Sequence, residues 1–210
     1  MDINSQQGFT LIELLVAMAI AGILLGIGVP SFTEAVREAR ISSQYNTLVG
    51  SLFLARSEAV KGPGLVTVCP RESEDSNQCG VTTDWQNGWL VFIDNTTVQG
   101  ETTANVDADD EIIAVESALD TDNTITAIGS STNSVAGATD IAFIRYTQSG
   151  GAEWRSSSII ICDASRGAES SRSINIVLTG DIRRGRPSGS SQIPRDVFDR
   201  EICADAGTGA

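Results

Sequence analysis

The chain has 210 residues, four cysteines, no histidine and a net charge of −13. That length holds one domain of ordinary size plus one appended element, since domains cluster near ~100–150 residues. The lack of histidine excludes a Cys/His zinc site and any imidazole general base. Residues 72–144 carry fourteen acidic and no basic side chains, whereas 145–210 carry nine basic and eight acidic. The middle of the chain therefore repels polyanions and keeps the domain soluble, and any affinity for them must come from the C-terminal arginines.

The first element is apolar. From Phe9 to Val29 every residue is apolar or small except Thr10 and Glu13. At ~1.5 Å rise per residue this run gives about 30 Å of helix, enough to cross a bilayer core. A cleaved secretory signal would need a basic start, and "MDINSQQ" has none. A plain anchor leaves Glu13 unexplained, because a carboxylate in the bilayer costs roughly 2.5–3.5 kcal/mol. A buried charge there calls for a partner.

The stretch "GFTLIELLVAMAIAGIL" (8–24) resembles the class III signal of type IV pilins and type II secretion pseudopilins. The resemblance implies that a prepilin peptidase cuts between Gly8 and Phe9 and methylates the new N-terminus, leaving residues 1–8 as a leader. It also gives Glu13 a partner, the α-amine of Phe9 on a neighbouring subunit, so that the carboxylate acts as a register key on docking. The leader lacks the basic residues usual in that family. The implied setting is the inner membrane, single-pass through residues 9–30, with the rest in the periplasm. The implied partners are other pilin-like subunits, the peptidase and membrane lipid.

Residues 31–61 read as an amphipathic helix on a globular core. Phe32, Val36, Ala39, Tyr45, Leu48, Val49, Leu52, Ala55 and Ala59 recur mostly at three- and four-residue steps. Gly62-Pro63-Gly64 ends the helix, and Gly22, Gly26, Gly28 and Pro30 mark where the stem can bend or locally melt during packing. From 62 to 210 the chain alternates β-branched runs at 65–69, 88–94, 111–116, 124–128, 141–147, 158–162 and 173–179 with polar turns. Stretches 95–110 and 129–140 read as surface loops. The fold class is α+β: one long N-terminal helix on an antiparallel, β-rich domain.

Cys69, Cys79, Cys162 and Cys203 all lie beyond the apolar run, without CxxC spacing, and read as two disulfides in an oxidising compartment. Three pairings are open. Cys69–Cys79 with Cys162–Cys203 is favoured, since the first closes a short polar loop and the second ties the C-terminal tail to a strand.

Within this domain "ARSEAVKGPGLVTVCP", "DWQNGWLVFID", "IIICD" and "RSINIVLTGDIRRGR" resemble the GspH/FimT branch of minor pilins and pseudopilins. With the leader, the similarity covers most of residues 8–186 and implies the pilin-like arrangement of a membrane stem and a β-rich head. Trp85 and Trp89 read as packing residues, and Asn95-Thr96-Thr97 fits a glycosylation triplet. The chain has no G-x-S-x-G elbow and no phosphate-cradling loop, so no enzyme activity, metal or cofactor is expected. Two functions follow: a minor pseudopilin or pilin that initiates or caps a filament, and a DNA-uptake pilin contacting phosphates through Arg183, Arg184 and Arg186. The resemblance places an arginine where Asp181 stands, and the first function is favoured.

Overall fold

The computed structural model describes residues 9–62, 64–82, 84–95, 103–119, 123–130, 139–164, 166–185, 195, 196, 198 and 203. The chain divides into two compact units, Met1–Arg40 and Ile41–Ala210.

Helix α1 spans Leu11–Lys61. It runs unbroken through Gly22, Gly26, Gly28 and Pro30. The amide of Gly62 donates to Glu58 O, closing the last turn, and Lys61 pairs with Glu58 at 2.8 Å. A cation in the last turn also suits the negative end of the helix dipole.

In the second unit α1 buries Ile41, Leu48, Leu52, Ala55 and Ala59. Tyr45 and Val49 pack partly against that cluster. Ile41 takes the first core position. Phe32 and Ala39, read from their spacing as part of the packed face, are exposed. The period of apolar residues marks a face but not where along the helix a partner begins.

Strands β1 (Leu65–Pro70), β2 (Trp89–Asp94), β3 (Glu111–Glu116) and β6 (Ile144–Tyr146) form one antiparallel sheet in the order β3-β2-β1-β6. Strands β4 (Thr124–Ser130), β5 (Thr139–Asp140), β7 (Ser156–Cys162), β8 (Arg172–Val177) and β9 (Ile182–Arg184) form a second, ordered β5-β4-β7-β8-β9. The helix residues share one core with Val66, Val68, Trp89 and Val91 of the first sheet and Ile125, Ile159, Ile161 and Ile174 of the second. A smaller cluster of Cys69, Leu90, Phe92 and Phe143 covers the other face of the first sheet, under Ala104 and Val106. The described part of the 95–110 segment is thus a packed flap.

The run 141–147 is not one strand. Residues 139–140 pair with β4, Ile141 still donates to Ala127 O, and the chain then crosses to the first sheet as β6. Ile141 enters the main core and Phe143 the smaller cluster, so one apolar run serves both sheets. Likewise Gly129, Ser130, Thr139 and Asp140, expected in a loop, are strand residues, while 131–138 lie outside the described residues. A ninth strand, Ile182–Arg184, pairs with β8.

Candidate assembly segment and head surface

The first unit presents an apolar helix whose side chains from Leu11 to Ile27 are exposed. The helix is long and apolar enough to cross a membrane, and its apolar stretch is unburied. Phe9 is 85% exposed, and Leu11, Ile12, Ile23 and Ile27 are exposed as well, a surface that water disfavours and a lipid or helical partner would cover. Glu13 is the sole charged residue between Phe9 and Val29. It lies one turn from Phe9, and the two line one shallow hollow with Leu14, Ala17, Met18 and Ala21. Gly8 lies outside the described residues.

Thr10, the other polar residue of the apolar run, has a structural role: its hydroxyl accepts the backbone N–H of Glu13 at 3.3 Å, and its carbonyl accepts that of Leu14 at 3.2 Å. It is the N-cap of α1, and Glu13 is the third helical residue. The available signal was Thr-x-x-Glu before an apolar run, the pattern of a capping box.

In the head, Cys69 is bonded to Cys79 and Cys162 to Cys203. The loops span 10 and 41 residues of separation, and restricting such loops in the unfolded chain is worth roughly 3 and 4 kcal/mol. Both tryptophans are buried, with Trp85 Nε1 donating to Ile141 O at 3.2 Å and Trp89 Nε1 to Ser51 Oγ at 2.9 Å. Gly88 between them has φ +91°, and a Cβ there would strike the carbonyl oxygen of Glu116, which accounts for glycine in W-x-x-G-W. Asn95 is held by Asp109 and Asp110, while the rest of its triplet lies outside the described residues.

Arg183 and Arg184 do not converge. Arg183 and Arg184 are adjacent on β9, so their side chains leave opposite faces of the strand. Arg183 lies 3.5 Å from the carboxylate of Asp181, which also pairs with Arg56 at 3.3 Å. The Arg184 guanidinium lies 6.0 Å from the centre of the Tyr45 ring. Burial raises the Tyr45 hydroxyl above its ordinary pKa, and Arg184 and then Arg172 oppose that rise. Arg186 lies outside the described residues.

The most deeply buried arginine among the described residues is Arg145, within "IAFIRYT". It is fully buried on β6, 3.6 Å from Asp94 and 2.9 Å from Glu153. It donates to Thr67 Oγ1 and to the carbonyl of Thr103, and lies over the Phe143 ring at 4.5 Å. An arginine inside an apolar β run was the signal, since a charge there has to be paired. The cluster joins both flanks of β1 to the 103–106 flap. Among the described residues no group of three or more His, Cys, Asp or Glu is placed to hold a metal ion.

An unpacked apolar helix leading into a disulfide-bonded, antiparallel head defines a pilin-like subunit. The family model for Type II transport protein GspH matches residues 44–181, and that for the prokaryotic N-terminal methylation motif matches residues 3–29. The chain belongs to the GspH family.

It is 40% identical over 47 residues to a fimbrial protein of Moraxella nonliquefaciens, covering 22% of this chain and 30% of that one. It is also 40% identical over 60 residues to the fimbrial protein EcpC of Eikenella corrodens, covering 29% and 39%. The matches thus span well under half of these curated relatives. Among solved structures it is similar to the type IV minor pilin FimU of Pseudomonas aeruginosa, with 17% identity, 80% of this chain and 99% of that one covered, and a TM-score of 0.46. A second crystal form of FimU gives 16% identity, 75% and 99% coverage, and a TM-score of 0.43.

Proposed function

We propose that this protein is a minor pseudopilin or pilin, held in the inner membrane by residues 9–30 with its β-rich head in the periplasm. It assembles with other pilin-like subunits into a filament that supports protein secretion or pilus biogenesis, at or near its tip. The role is structural and not catalytic. The observation that carries this reading is the lone carboxylate of Glu13 on an otherwise apolar, unpacked helix, one turn from Phe9. A prepilin peptidase cuts at Gly8–Phe9 and methylates Phe9. The new α-amine then pairs with Glu13 of a neighbour, and each charge is fully satisfied only in the assembly.

Mass spectrometry of the membrane-extracted protein tests processing: methyl-Phe9 is the expected first residue, and an intact Met1 in a peptidase-positive strain would refute it. Crosslinking to neighbouring subunits tests assembly. Glu13→Ala is expected to enter the membrane at least as well as the native chain but to be incorporated poorly. Normal incorporation would remove the register role.

A further inference from the structure

The same carboxylate must also enter the bilayer before any neighbour is present. We propose that Thr10 is a positioning residue for Glu13, fixing the helix start so that the carboxylate stands in the first turn, beside the helix's free amides, in the unassembled subunit. The inference rests on the assembly role given to Glu13 but concerns the state that precedes assembly.

A helix leaves its first amides without internal acceptors, and in hydrocarbon no water replaces them. The Thr10 hydroxyl takes the amide of Glu13 at 3.3 Å, and the Thr10 carbonyl takes that of Leu14, which fixes Leu11 as the first helical residue. Glu13 is thereby the third helical residue, within the first turn, where exposed amides and the positive end of the helix dipole favour an anion. A start one residue earlier or later would take Glu13 out of the third position. Thr10 thus lowers the penalty of carrying Glu13 alone, and the neighbour's α-amine has to compete with this internal arrangement when subunits dock.

The test is a double-mutant cycle on the full chain in neutral detergent micelles, read as hydrogen exchange of the amides of residues 11–14. Thr10→Val removes the acceptor oxygen and keeps the side-chain shape. A plain helix cap would speed exchange by the same factor whether residue 13 is glutamate or alanine. Coupling through the carboxylate predicts an acceleration about fivefold larger with Glu13 than in the Glu13→Ala background, the scale of a lost N-cap. Thr10→Ser, which keeps the oxygen, is expected to match the native chain. Equal factors in the two backgrounds, or a Thr10→Ser protein that behaves like Thr10→Val, would overturn the proposal. Crosslinking of Glu13→Ala separates the two ideas: normal incorporation together with preserved coupling would remove the filament role and leave the cap standing.

Discussion

Asp181 lies 3.3 Å from the Arg56 guanidinium, tying the β8–β9 turn to helix α1. Arg56 also donates to the carbonyls of Gly150 and Thr179, so one side chain clamps two turns. Gly180 in that turn has φ +77°, and a Cβ there would strike the Gly150 carbonyl oxygen. The position where a DNA-uptake reading would want a cation therefore holds the anion that completes a structural clamp.

That arrangement bears on nucleic acid. Three phosphate contacts would give a log–log salt slope near about −2.7. With Arg183 beside Asp181 and Arg184 on the opposite face against Tyr45, little or no duplex binding is expected near physiological salt. The combined change Arg183→Ala, Arg184→Ala and Arg186→Ala should leave secretion or piliation largely intact. A gel-shift titration in which the native protein binds and the triple variant does not would instead make DNA capture the leading function.

Removing Arg145 should be costly. Its loss leaves Asp94, fully buried, without its cationic partner, and breaking such a pair typically costs about 3–5 kcal/mol. Chemical denaturation of Arg145→Met, followed by tryptophan fluorescence, is expected to show a loss of that size. A change below about 1 kcal/mol would mean that the cluster contributes little net stability.

Alkaline pH should weaken the head. The Tyr146 hydroxyl is fully buried with no hydrogen-bond partner among the described residues. Burial raises its pKa well above the ordinary value near 10, with Arg56 opposing. The folded state thus holds the phenol proton where the unfolded chain releases it. This contribution is fully present below about pH 10 and is lost as pH rises from there, by at most about 1.4 kcal/mol per pH unit. Tyr146→Phe should flatten the fall between pH 10 and 11 and leave stability at pH 7 unchanged or higher. An equal alkaline fall in the variant would assign it to other groups.

The Cys162–Cys203 bond should matter more than Cys69–Cys79, because it closes the longer loop. Replacing each pair by serine and comparing unfolding midpoints should give losses near roughly 4 and 3 kcal/mol. The reverse order would show that local packing, and not chain entropy, sets their worth.

Much of this protein is carried by local pattern. The apolar run with a single carboxylate, the helix stop at Gly62 and the β-branched runs at 65–69, 111–116 and 124–128 depend on composition and period, which a linear string displays directly. So do the motifs that mark the family. Three features depended on what lies opposite in space. The 141–147 run divides between two sheets because Ile141 and Phe143 enter different clusters. Packing on α1 begins at Ile41, where the sheets reach the helix, although the apolar period runs on in both directions. The arginines at 183 and 184 are neighbours in the string but are separated by the strand's alternation, and one is matched by Asp181. Sequence sets which surfaces are apolar and which groups are charged; the tertiary fold decides which of them meet, because each burial and each pairing depends on a partner distant in the chain.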